Sequence, residues 1–237
     1  MGAESKYEVV FKQLEKEILD GNFNENKKLP TEEELIKRFN VSKNTIRKAI
    51  EILVSRGYLY RVQGSGIFLR EYSREGCTTI NDMVGLTNTF PKDKLTSELI
   101  NLSIIDADEE LSSKMKCCIN TKLYYVKRIR YKNEEPIAIE ESYYNKDIIP
   151  YLDEKICTSS IYKYITEDLK LNIGFADKII SCEKIDKTEA EFLDLKEGDP
   201  AMILENTVFL NSGIVFDISK EKYNYTKCKI LSLTMIQ

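Results

Sequence analysis

The stretch from Leu29 to Leu69, LPTEEELIKRFNVSKNTIRKAIEILVSRGYLYRVQGSGIFL, constrains the fold most. It reads as helix, tight turn, helix and two-stranded hairpin. Pro30 precedes Thr31, and Thr31 with Glu34 makes a capping box that starts the first helix. Leu35, Ile36 and Phe39 give that helix an apolar side, and Asn40-Val41 breaks it. Ser42 caps the next helix and Gly57 stands where a C′ glycine would end it. Ile46, Ala49, Ile50, Leu53 and Val54 follow the 3.6-residue period and face a core. Lys43, Asn44, Arg47 and Lys48 fall on the other side, in the first turn and a half. Lys and Arg there can reach guanine edges in a DNA major groove, and Asn can pair with adenine. The hairpin runs from Tyr58 to Val62, turns through Gln63-Gly64-Ser65-Gly66 and returns over Ile67–Arg70. Its glycines permit a tight turn. Flanking Arg61 can then approach a phosphate backbone, and Thr31, at the start of the first helix, is a further candidate contact. A solvated basic helix face is the plain alternative. Helix-turn-helix spacing, basic N-terminal turn and glycine-tipped wing in this order favour DNA.

Charge distribution agrees. The 237-residue chain has a formal net charge of −4, which argues against indiscriminate nucleic-acid binding. Residues 41–74 nevertheless carry 7 basic against 2 acidic side chains, concentrating positive charge where phosphate steering needs it. No apolar run is long enough to span a membrane and no signal-peptide pattern is present, so a cytoplasmic, membrane-free protein is expected. Six cysteines, at 77, 117, 118, 157, 182 and 228, form no Cys-x-x-Cys pair and read as buried or incidental thiols. The absence of histidine removes Ser-His-Asp and Cys-His catalysis, His-based zinc sites and a histidine pH switch. No cofactor, metal site or catalytic residue is expected.

Around this motif the chain divides into residues 1–70, a polar linker at 71–80, and a second domain over 81–237. Residues 6–20 form an amphipathic helix with Tyr7, Val10, Phe11, Leu14 and Ile18 as its stripe. After an irregular passage around Pro91, strands alternate with short helices. Strands are expected over Glu98–Ala107, Leu123–Lys132, Pro136–Tyr144, Gly174–Ile185, Met202–Leu210 and Ile214–Tyr223. Lys227–Ile236 should close the sheet. Helices are expected over Asp108–Lys116, over IYKYITEDL after Ser159 and Ser160, and after a Thr188/Glu191 capping box. An antiparallel sheet with helices gathered on one side is the natural α+β solution.

Within LYYVKRIRYK, Arg128 and Arg130 point the same way, roughly 7 Å apart. Two guanidiniums on one face repel unless an anion sits between them. Glu140 or Glu141 across the hairpin could supply it, giving a salt-bridge ladder. A bound phosphate or carboxylate could supply it instead, giving an anion clamp. A helix start at Thr158-Ser159-Ser160 would add N–H and hydroxyl groups to that clamp. The residues alone leave both open.

The segments LPTEEELIKRFNVSKNTIRKAI and LYRVQGSGIFL resemble the winged-helix signature of the GntR family of bacterial transcription regulators. The resemblance implies DNA contacts from Ser42, Lys43, Thr45 and Arg47, with Gln63 and Gly64 at the wing tip. Glu33 stands where the family often has Arg, so one phosphate contact is lost or replaced and the operator differs. The segments YYVKRIRYKNEEPIAIEESYY, SSIYKYI and GIVFDISKEKYNY resemble the UTRA effector domain of the HutC subfamily, which has a chorismate-lyase-like fold. That resemblance implies an effector site. Arg128, Arg130, Ser159, Ser160 and Tyr162 would hold an anionic group. Glu140, Asp217 and Tyr223 would bind the rest of the ligand, and Thr87 to Phe90 would line the way in. Asp217 is often Glu in the family. The implied protein is a homodimeric repressor of double-stranded operator DNA, modulated by a small anion such as a phosphorylated sugar. Two other functions are weighed against it: an enzyme of lyase-like fold with an appended DNA-binding head, and a winged helix used for protein contacts.

Overall fold

The computed structural model describes residues 5–23, 25–70, 78–79 and 94–231. Thr87, Phe90, Cys77, most of the linker and the last six residues lie outside them. The chain divides into two compact units, each described by itself.

In the first unit, α1 spans Lys6–Leu19, α2 Glu32–Phe39 and α3 Lys43–Ser55. Their caps form where side chains can take the free N–H groups of a helix start. Thr31 Oγ1 accepts from Glu34 N at 3.3 Å and Glu34 returns a carboxylate oxygen to Thr31 N at 2.8 Å. Ser42 Oγ accepts from Thr45 N at 3.3 Å. Asn40 closes α2 in the left-handed region at φ 49°, and Gly57 follows α3 at φ 72°. Val10, Phe11, Leu14, Leu35, Ile46, Ala49, Ile50 and Leu53 bury the facing stripes in one core. Within it Glu17 is buried, and Arg38 and Gln13 hydrogen-bond its carboxylate, tying α1 to α2. The wing pairs β1 (Leu59–Val62) with β2 (Gly66–Leu69), antiparallel. Residues 27–29 add a third short segment: Leu29 N donates to Ile67 O at 2.9 Å and Leu69 N to Lys27 O at 2.8 Å.

Next comes β3, Thr78–Thr79. The second unit is built on six antiparallel strands: β4 (Leu95–Asp106), β5 (Lys122–Lys132), β6 (Glu135–Asn145), β7 (Ile173–Lys184), β8 (Pro200–Leu210) and β9 (Val215–Asn224). Their spatial order is β4-β5-β6-β9-β8-β7. Cross-strand partners share a face. One face therefore collects Tyr124, Val126, Arg128 and Arg130 of β5 with Tyr144, Ser142, Glu140 and Ala138 of β6. Asp217, Ser219, Glu221 and Tyr223 of β9 and Val208, Asn206 and Leu204 of β8 continue it. Two short helices, α5 (Glu154–Thr158) and α6 (Ile161–Lys163), serve this face, and α6 runs on into a π-helical turn over Tyr164–Asp168. Ile161, Ile165 and Cys157 pack with Tyr124, Val126, Tyr144 and Phe216 in its core. On the other face, Met115 of α4 (Glu109–Met115) packs with Leu123 and Phe209. Ala190 of α7 (Lys187–Leu193) packs there with Ala201 and Ile203.

Four expectations change. Helices lie on both faces of the sheet, α5 and α6 on one and α4 and α7 on the other, and are not gathered on one side. The helix α7 is capped by Asp186, whose carboxylate accepts from Glu189 N at 2.8 Å, and not by Thr188. Ile185 at N′ and Ala190 at N4 are buried in one cluster, a hydrophobic staple that fixes the start two residues earlier. Residues 227–231 do not close the sheet. Asn224 Oδ1 accepts from Thr226 N at 2.9 Å, turning the chain away from β9, and β10 (Ile230–Leu231) pairs with β3. The expected helix over 161–169 is α6 plus its π turn, with Leu169 N reaching Tyr164 O.

Candidate DNA-binding face and effector site

The start of α3 leaves Ser42, Lys43, Asn44 and Arg47 exposed beside half-buried Thr45. The Ser42 and Thr45 hydroxyls lie 2.9 Å apart. Arg47 Nε donates to both carboxylate oxygens of Glu32 in α2, at 3.0 and 3.3 Å. Lys48 is exposed as well, and its Nζ lies 3.8 Å from the centroid of the Tyr7 ring, a cation–π contact with α1. At the wing, Arg61, Gln63 and Gly64 are exposed, and Gly64 has φ 76°. Thr31 is exposed, with its hydroxyl engaged in the α2 cap.

In the second unit the buried face of the sheet is polar at its centre. Arg128, Arg130, Glu140, Ser142, Asn206, Asp217, Ser219 and Glu221 are all buried there. Glu140 stands opposite Arg128 in register. Arg128 Nη2 donates to Glu140 Oε1 at 2.6 Å, and Arg130 Nη1 to Glu140 Oε2 at 3.2 Å. Glu140 thus occupies the place between the guanidiniums, while Glu141 faces the other way and pairs with Lys127 at 2.8 Å. Burial works against the Glu140 charge, and the two arginines overcome it and hold its pKa below the usual carboxylate range. Arg128 Nη1 donates to Cys157 O at 2.6 Å, docking the end of α5 onto β5. Of the two serines, Ser159 turns its hydroxyl to Ile156 O and Ser160 caps α6 through Lys163 N.

Across the face, Tyr162 OH donates to Asp217 Oδ2 at 2.6 Å, and Tyr223 OH donates to Glu221. Asn206 Nδ2 donates to Ser219 Oγ at 3.2 Å and to Glu221 Oε1 at 3.4 Å. Asp217 Oδ1, Asn206 Oδ1 and Arg128 Nε are buried with no hydrogen-bond partner. An unsatisfied buried polar atom costs about 1–3 kcal/mol, so three on one face ask for a ligand or water that the fold does not supply. A cavity of about 440 Å³ opens between α6 and the β7–β8 edge, lined by Ser160, Tyr162, Ile173, Phe175, Ala176 and Val208 among others, and Tyr162, the partner of Asp217, links it to the polar face.

Burial also pushes Asp217 up to about 8, with Glu140 and Glu221 adding to it and the Tyr162 hydrogen bond opposing. Glu221 is pushed up to about 7 by burial and by Glu140. A carboxyl raised in the folded state holds its proton after the unfolded chain has lost it. Its stabilisation is complete below the unfolded pKa near 4 and is lost as pH rises through 7 to 8, at about 1.4 kcal/mol per pH unit for each proton. The melting temperature of this unit should therefore fall between pH 5 and pH 8. Asp217→Asn should flatten that slope; an unchanged slope in pH-dependent melting would show that Asp217 is not the group responsible.

Sequence reasoning singled out Arg128, Arg130, Glu140, Tyr162, Asp217 and Tyr223, and the fold gathers all six. It missed Ser142, Asn206, Ser219 and Glu221. The signal was available in β9: Asp217, Ser219, Glu221 and Tyr223 alternate, so one face carries them all. Among the cysteines, Cys157 is buried and Cys118 and Cys182 are exposed.

Comparison with known proteins decides the family. The profile described as "Bacterial regulatory proteins, gntR family" matches residues 6–69, and that described as "UTRA domain" matches residues 92–229. The chain belongs to the GntR family. It is a transcription regulator with a GntR helix-turn-helix domain followed by a UTRA domain. It is 35% identical over 226 residues to the uncharacterized HTH-type transcriptional regulator YydK of Bacillus subtilis, covering 95% of this chain and 96% of that one. The crystal structure of YydK, described as a possible transcriptional regulator, superposes with a TM-score of 0.82 at 34% identity, covering 98% of this chain and all of the other. The HTH-type transcriptional repressor NagR of B. subtilis is 29% identical, covering 92% and 89% of the two chains. In this GntR regulator no helix among the described residues is long and apolar enough to cross a membrane.

Proposed function

We propose that this GntR regulator is a cytoplasmic, homodimeric repressor whose operator affinity is set by a small anionic effector, a phosphorylated sugar, bound in the UTRA domain. Its division of labour is a DNA-binding domain over 1–70, a linker over 71–80 and an effector and dimerisation domain over 81–237. Two copies of α3 reading two half-sites imply a near-palindromic operator. Specificity then comes from Ser42, Lys43, Asn44, Thr45 and Arg47, while Arg61, Gln63 and Gly64 of the wing position the head on the backbone. The named repressors among the relatives support the direction of control.

The observation that carries the effector reading is the set of unpaired atoms on the buried face, Asp217 Oδ1, Asn206 Oδ1 and Arg128 Nε. Asn206 Oδ1 can accept from a ligand hydroxyl, the protonated Asp217 carboxyl can donate from Oδ1, and the arginine side offers positive charge to an anion. Ligand and operator favour different arrangements of the two heads, so each weakens the other's binding by the same factor. A thermal-shift screen tests the effector class directly. Sugar phosphates should raise the melting temperature and the corresponding free sugars should not. Equal shifts from both, or shifts from neither, would remove the phosphate from this account.

A further inference from the structure

Three consecutive acids, Glu32, Glu33 and Glu34, open α2, and they have different surroundings. Glu34 closes the capping box with Thr31. Glu33 is exposed and makes no hydrogen bond or ion pair among the described residues. Glu32 reaches α3, fifteen residues on, and both of its carboxylate oxygens take the Nε–H of Arg47. Its side chain is 27% exposed against 50% for Arg47, so the guanidinium is the more accessible member of the pair.

The choice of nitrogen matters. A guanidinium presents a rigid fork, and one anchored through Nε keeps both terminal amino groups for a second, bidentate acceptor. Among the described residues neither terminal nitrogen of Arg47 has a partner. Left alone, Arg47 would spread over many rotamers, and ordering a long side chain on binding costs free energy. An anchored fork has met that cost before it reaches DNA. The same carboxylate repels phosphate, so it penalises any docking in which Arg47 serves as a mere counter-charge.

We propose that Glu32 is a positioning residue for sequence reading: it holds the Arg47 guanidinium for a bidentate contact with a base edge and raises discrimination against other DNA. The inference rests on Arg47 meeting DNA, and the experiment separates the two. A duplex selected by the full-length protein from a random pool, and a scrambled duplex of equal length, are titrated at one salt concentration. Wild type is compared with Glu32→Gln, Glu32→Asp, Glu33→Gln, Arg47→Lys and the double variant Glu32→Gln/Arg47→Lys. Glu33→Gln removes the same charge from the same turn, so it should tighten both duplexes alike and leave their affinity ratio unchanged. Glu32→Gln should lower that ratio by about tenfold or more, the scale of one bidentate base contact, and Glu32→Asp should restore part of it. Arg47→Lys keeps the charge without the fork and should lower the ratio as well. The double variant should fall no further than either single change, because the two residues act as one unit. If Arg47→Lys leaves both affinities untouched, Arg47 is not a DNA contact and the inference falls with it. If Arg47→Lys lowers the ratio while Glu32→Gln behaves like Glu33→Gln, Arg47 reads DNA unaided and only the role of Glu32 is overturned.

Discussion

Replacing Glu140 by Ala is expected to destabilise the UTRA unit by about 3–5 kcal/mol, the cost of leaving a buried charge without its partner. Arg128 and Arg130 are both buried and both donate to this one carboxylate. Removing it strands two guanidiniums in a low-dielectric layer, where their repulsion is no longer screened by an intervening anion. Cys157 O still accepts from Arg128, so the end of α5 stays docked on β5. Chemical denaturation followed by a probe in this unit measures the loss. The companion variant carries Met at 128, 130 and 140 together. Replacing a whole buried ion cluster by apolar side chains of similar size is often neutral or stabilising. That variant should therefore be more stable than Glu140→Ala. A triple variant as unstable as the single one would mean that the cluster holds the sheet together and is not kept for a ligand.

Replacing Arg47 by Ala is expected to weaken binding to a selected operator duplex by roughly tenfold or more, the scale of one good bidentate base contact. Binding to a scrambled duplex should weaken less, and the salt slope should change by no more than about one counterion. Lys48→Ala, by contrast, removes a cation–π contact to Tyr7 and should register in the stability of the DNA-binding head more than in its affinity. Fluorescence anisotropy with both duplexes at two salt concentrations checks both. An unchanged operator affinity in Arg47→Ala would contradict the assignment of this helix face.

The head was legible in the sequence because its signals are local. Thr31 with Glu34, Ser42, Asn40 and Gly57 each mark a helix end by their own chemistry, and the apolar stripe of α3 follows one period. The sheet was legible as strands; on its polar face Arg128, Arg130 and Glu140 were legible from alternation, and Tyr162, Asp217 and Tyr223 were reached through a family resemblance. Asn206 sits in MILENTVFL, a strand whose alternation says which face it takes and nothing of what it meets there. Its partners Ser219 and Glu221 are on a neighbouring strand, and only the register brings the three together. The start of α7 failed for a different reason. Asp186/Glu189 and Thr188/Glu191 both satisfy the capping-box spacing, and the choice between them is made by burial of Ile185 against Ala190, a tertiary fact. The fate of residues 227–231 was likewise decided by the Asn224 turn. In the Arg128/Arg130 pair, spacing alone demanded an anion and could not say whose. Glu140 supplies one from within, and Arg128 Nε, Asn206 Oδ1 and Asp217 Oδ1 stay unpaired on the same face.

The proposed function stands or falls on thermodynamic linkage between ligand in the UTRA domain and DNA at the winged helix. The most direct measurement is a closed cycle of four dissociation constants: selected duplex with and without saturating sugar phosphate, and sugar phosphate with and without saturating duplex. Each should weaken the other, and by one shared factor. A sugar phosphate that binds the protein yet leaves the duplex dissociation constant unchanged would contradict that linkage.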